Sequence, residues 1–199
     1  MGTLLERRNF FIRERVAFLK FSDTYDILEP ETKAQIGLAQ EKAPTWVHLL
    51  RFLVNKRLLP TTVNVHEGQD SRQPGPVLFS IERGFSFLRP KVKICSGGTV
   101  MGSLQSKLFS LGGAFYVLDA AGQQVAMVKG DWKGWNFRIF DTKEQEIGLV
   151  TKKWAGIGKE LFTSADNYMI TLSGDPEPSH ARLLLAAGLA IDTLFKENP

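Results

Sequence analysis

The chain has 199 residues, a formal net charge of +4, 43% hydrophobic residues and a single cysteine, Cys95. That is one large domain or two small ones, with enough apolar material for a sizeable core. One cysteine excludes an internal disulfide and a zinc cage built on cysteines, and suits a reducing compartment such as the cytoplasm. The mild, mixed charge permits attraction to an anionic membrane surface without requiring it. The first residues lack the charged-then-apolar pattern of a secretory signal. "MGTLLE" places Glu6 where a myristoylation signal takes Ser or Thr. Neither leader is expected.

Three segments share one pattern: "YDILEPETKAQIGLA" (25–39), "FYVLDAAGQQVAMV" (115–128) and "FRIFDTKEQEIGLV" (137–150). Each has an aromatic residue, an apolar residue two positions on and an acid four on: Glu29, Asp119 or Asp141. Then follow Ile36-Gly37, Val125-Ala126 or Ile147-Gly148. Period-two alternation, an acid-led turn and a second alternating run describe a β-hairpin. The acid opens the turn because its carboxylate can accept backbone N–H groups just beyond it. Weaker copies lie at "VKICSGGTVMGSL" and "TVNVHE", so the repeat implies a meandering antiparallel sheet.

In chain order, about twelve strands are expected. They begin near Asn9, Thr24, Gln35, Thr61, Val77, Lys91, Val100, Ala114, Gln124, Asn136, Glu146 and Asn167. "APTWVHLLRFLVNKRLLP" (43–60) interrupts them with helical spacing at Leu49, Leu50, Leu53 and Val54, with Thr45 as N-cap and Pro60 as stop. "EGQDSRQPGP" (67–76) is a polar Gly/Pro loop, with the strand pattern resuming on both sides. A helix from about His180 to Lys196 closes the chain. Its uncharged run, Leu183 to Ile191, is far short of the roughly 20 residues of a bilayer span. A short helix apolar on every side belongs in a core. About twelve strands closed on themselves leave a lumen to fill. The expected fold is therefore mainly β: a single domain over 1–199, a closed antiparallel barrel around its own C-terminal helix.

"FRIFDTKEQEIGLVTKKWAGIGKELFTSADNYMITL" (137–172), with the acidic loop and "LLLAAGLAIDTLFKE" after it, resembles the phospholipid scramblase family. It also resembles the related Tubby-like barrels, including the LURP-one-related proteins. The residues that carry this are the strand ending in Asp141, Ile147-Gly148 followed by Lys152-Lys153-Trp154, "LFTSADNY", and Ile191-Asp192 in the last helix. The resemblance implies a twelve-stranded barrel around a hydrophobic helix and a role at phospholipid surfaces. The family's proline-rich extension and palmitoylated cysteine cluster are not in these 199 residues. Its Asp-rich calcium segment corresponds to "SADNYMITLSGD" (164–175), where Ser164 replaces an Asp. Asp166, Asn167 and Asp175 remain as a weak calcium set, a poor cage if Tyr168 to Leu172 form a strand.

The headgroup candidates are basic and aromatic. Arg51, Lys56 and Arg57 flank the internal helix, and with Arg7, Arg8 and Arg13 they are candidates for a basic patch. Trp132, Lys133 and Trp135 lie in "GDWKGWNF"; tryptophan beside lysine suits a half-wet interface. Lys152 and Lys153 could meet phosphates. The plainer readings are a solvated face, indoles capping the barrel end, and ordinary strand lysines. No phosphate loop, nucleic-acid motif or metal-spaced histidine pair is present among His48, His66 and His180. Cys95 would need a neighbouring base to act as a nucleophile. The sequence therefore points to a non-enzymatic, cytoplasmic module, peripheral at an anionic phospholipid surface. Two alternatives stay open: a module for a protein partner, and a small-molecule site at a barrel mouth near the helix.

Overall fold

The structure, a computed structural model, describes residues 3–15, 23–42, 59–68, 74–84, 91–107, 113–131, 135–152, 167–174 and 176–195. A 3-10 turn, Leu4–Glu6, precedes the first strands: β1 (Asn9–Glu14), β2 (Thr24–Leu28), β3 (Gln35–Lys42) and β4 (Thr61–Glu67). Then come β5 (Val77–Arg83), β6 (Lys91–Ser96), β7 (Thr99–Ser106) and β8 (Ala114–Asp119). The last four are β9 (Gln124–Asp131), β10 (Asn136–Phe140), β11 (Glu146–Thr151) and β12 (Tyr168–Leu172), followed by the helix α1 (Pro178–Phe195). Each strand pairs antiparallel with the next, and β1 pairs with β12 to close the barrel. Strand starts agree with the sequence pattern except at β7 and β12, each displaced by one residue. The internal helix expected within 43–60 falls almost wholly outside the described residues.

The repeated hairpins share their chemistry. Asp119 Oδ1 accepts the Gln123 N–H at 2.8 Å, and Asp141 Oδ1 accepts those of Lys143 and Gln145, both at 2.8 Å. Glu29 has a longer arm and accepts instead from the Thr32 hydroxyl and from Arg7. Pairing shifts by one residue just before each turn, at Ile27/Leu28, Val117/Leu118 and Ile139/Phe140. Such bulges bend the strand and help a sheet to close. Beyond the turn, a Cβ at Gly37 or Gly148 would lie 2.9 Å from the carbonyl oxygen of His66 or Thr171 on the neighbouring strand. The repeated glycine therefore permits close strand approach.

The helix fills the lumen. Every residue from Leu183 to Ile191 is buried, and α1 touches β5, β7, β8, β9, β12 and the 3-10 turn. Inward residues such as Phe79, Val92, Phe115, Val128 and Ile139 share one core with it. Buried apolar surface contributes about 25 cal/mol per Å², so this shared core is the main stabilising element. Among the described residues no helix is long and apolar enough to cross a membrane. Between inward Val92, Ile94, Val128, Phe137 and Ile139, the outward Lys93, Lys129 and Arg138 are exposed. Barrels that span bilayers with strands carry the reverse pattern, an apolar outer band.

Candidate lipid-facing end of the barrel

Because each strand reverses the one before, the connections alternate between two ends. Helix α1 follows β12 and enters at one end, here the entry end; it runs toward the other, the exit end. Connections 29–34, 68–76, 97–98, 120–123, 141–145 and 173–177 join strands at the entry end. Connections 15–23, 43–60, 84–90, 107–113, 132–135 and 152–167 join them at the exit end.

The two sets differ in chemistry. Exit-end connections hold eleven Lys and Arg against three Asp and Glu, eleven aromatic residues, and all four tryptophans of the chain. Entry-end connections hold three Lys and Arg against seven Asp and Glu. They contain no aromatic residue and no Leu, Ile, Val or Met. All eight headgroup candidates fall in exit-end connections. Of these, Arg51, Lys56, Arg57, Trp132, Lys133 and Lys153 lie outside the described residues.

Trp135 and Lys152 are described. Trp135 is half-buried, with φ of 48°, at the end of the connection into β10. Its ring meets Phe137 edge-on at 5.7 Å between centroids and Tyr168 at 5.2 Å. Lys152 Nζ stands 4.3 Å from the ring centroid, and the Lys152 N–H donates to the Trp135 carbonyl at 3.3 Å. The indole thus packs against Phe137, Tyr168 and the Lys152 ammonium group while staying half-buried. Gly130 makes room below, since a Cβ there would collide with the Phe137 ring.

Of the six basic patch candidates, Arg7, Arg8 and Arg13 are described, and they do not lie together. Arg7 and Arg8 precede β1 at the entry end, where Arg7 pairs with Glu29 and Arg8 donates to the Gly174 carbonyl at 3.1 Å. Arg13 does lie toward the exit end. It donates to Asp26 Oδ2 at 2.9 Å, while Arg15 takes Oδ1 of the same carboxylate. Asp26, only 2% exposed, is the residue that sequence reasoning missed. Its signal was an acid at an outward position between outward arginines, but the pairing needs the β1–β2 register.

Of the calcium set only Asn167 is described. Asp166 and Asp175 lie outside the described residues, and Asn167 is buried just before β12. Tyr168 to Leu172 do form a strand, at about 3.3 Å per residue. Asn167 and Gly174 therefore stand at opposite ends of that strand. Among the described residues no three His, Cys, Asp or Glu converge.

Cys95 is buried on β6. Burial first, and then the Glu82 carboxylate, push its thiol above its ordinary range, the opposite of nucleophile activation. His66 is buried on β4, its Nδ1 2.7 Å from the Gly75 carbonyl oxygen. His180 lies in the first turn of α1, and His48 is outside the described residues. At the entry end a cavity of about 330 Å³ opens among Gln124, Val125, Asp141, Ile147, His180 and Leu184.

A family model described as Scramblase matches residues 73–198, from just before β5 through α1. No curated protein and no solved structure matches the chain. The matched length exceeds half of the chain and takes in the hairpins of 115–128 and 137–150 and the buried terminal helix; the chain belongs to the scramblase family.

Proposed function

We propose that this protein is a non-enzymatic phospholipid-surface-binding module that docks through the exit end of its barrel. The observation that carries the reading is the division of chemistry between the two ends. Basic and aromatic residues together suit a headgroup layer, where lysine and arginine meet phosphate and an indole is half wet. Each basic residue near an anionic surface contributes about 1 kcal/mol, so several acting together give firm but salt-sensitive attachment. The acidic entry end is repelled by the same surface and fixes the orientation. The charged outer wall favours a peripheral cytoplasmic module over a spanning one. The helix that fills the lumen leaves no lipid path through the barrel, so lipid movement is not assigned to the barrel interior.

Co-sedimentation of the full chain with neutral and anionic vesicles, at low and high salt and with and without calcium, tests this. Binding to anionic vesicles that weakens with salt is the expected result. Absence of binding to anionic vesicles would overturn the reading and favour a partner-chain module. A second reading, a small ligand at the entry-end mouth, has the cavity above Leu184 in its favour.

A further inference from the structure

The register of β6 to β10 sets a row of outward residues across five strands. Lys91 pairs with Gln105, Gln105 with Tyr116, Tyr116 with Met127 and Met127 with Phe140. Their neighbours Val117, Val128 and Ile139 point into the core, so alternation turns this row outward. There Tyr116, Met127 and Phe140 are only half-buried. One step nearer the exit end, Lys107, Lys129 and Arg138 are exposed. Lys107 Nζ lies 6.0 Å from the Tyr116 ring centroid and Lys129 Nζ 4.9 Å from that of Phe140. The two ammonium groups thus stand over aromatic faces on an exposed wall. Acids on this wall include Glu146, 3.4 Å from Arg138, and Glu82, paired across strands with Lys93; Asp131 holds an outward register position at the end of β9, opposite Asn136. The far side of the ring is different. Thr24, Gln40 and Asn64 form a row without charge, and the outward Phe11, Leu28 and Met169 are buried. Among the described residues the cations nearest that row are Lys42, the exposed Arg13, and Arg15; both arginines share the buried Asp26 carboxylate.

We propose that the barrel docks on an anionic phospholipid surface tilted rather than end-on, with the β7–β10 wall as a second contact. This rests on the reading of the exit end as lipid-facing. The wall is continuous with that end: Trp135 and Lys152 border β10 and β11 beside Arg138. Lys107 and Lys129 meet phosphates, and Tyr116 and Phe140 sit at headgroup depth, where a ring has one apolar and one wet side. The uncharged row on β2–β4 faces away.

The test uses the full chain and vesicles of phosphatidylserine and phosphatidylcholine. The double variant Lys107→Gln/Lys129→Gln removes two exposed charges without touching the core, and its fold is checked by circular dichroism. Its affinity is expected to fall about tenfold or more, while Lys143→Gln at the entry end changes it less than about twofold. Environment-sensitive labels on Met127→Cys and Asn64→Cys report the tilt: the first is expected to shift to the blue on vesicles and the second to stay. An unchanged affinity of the double variant, an equal loss in Lys143→Gln, or an unshifted label at 127 overturns the tilt and leaves exit-end docking standing. Failure of the unmodified chain to bind these vesicles overturns exit-end docking itself.

Discussion

Leu183 of the central helix occupies the space that a side chain at Gly102 would need. A Cβ built on Gly102 would lie 2.7 Å from Leu183 Cδ2, and it would also collide with the Leu118 carbonyl oxygen on β8. Barrel wall and helix are therefore fitted to each other at a backbone position, where relaxation is costly. Gly102→Ala is expected to destabilise the fold by about 1–3 kcal/mol, the usual cost of overpacking, seen as a lower urea midpoint with an unchanged slope. A midpoint equal to that of the unmodified chain would show that the wall yields there.

Leu185 is fully buried near the middle of the inward helix run. Leu185→Asp places an unpaired carboxylate in that core, at a cost of several kcal/mol against a total stability of about 5–15 kcal/mol. Loss of the cooperative unfolding transition is expected. A variant that still melts cooperatively would mean that the barrel stands without its helix.

The acid of the repeated turn has a defined task. Asp141→Ala removes the acceptor of two backbone N–H groups, each near solvent. The expected loss is about 0.5–2 kcal/mol, as for other side-chain caps, and Asp141→Asn should recover part of it. Equal stability of Asp141→Ala and the unmodified chain would remove the physical reason offered for the repeat.

Cys95 reacts as a protected thiol. Burial and Glu82 favour its neutral form in the folded state. Whatever stability this contributes is present below the ordinary thiol range and is lost as pH rises through the raised folded value. Alkylation at pH 8 is expected to be much slower in the native chain than in urea. Comparable rates would place the thiol in solvent.

Much of the fold was legible because hairpins repeat a local code: alternation, an acid at the turn, then an aliphatic residue and glycine. The one-residue displacement at β7 follows from Gly97-Gly98, whose left-handed φ of 57° and 81° completes the turn early enough for Thr99 to pair with Ser96. The left-handed backbone at Lys33 and Glu144 was not legible, since neither residue favours it. The eight headgroup candidates could be named one by one, but not assigned to one end. That needs the parity of strands between them. Arg7 and Arg13 are six residues apart, yet β1 carries one toward each end. The partner of Arg13 and Arg15, Asp26, likewise depends on cross-strand register rather than on spacing.

All four tryptophans fall in sequence within connections that join strands at the exit end, and the described one, Trp135, is half-buried there, so intrinsic tryptophan emission is expected to respond to contact at that end. The most direct measurement is its quenching by anionic vesicles whose acyl chains are brominated just below the headgroup. Strong quenching that is relieved by high salt is the expected result. Vesicle binding with unquenched tryptophans would contradict the account, because the surface in contact would then not be the exit end.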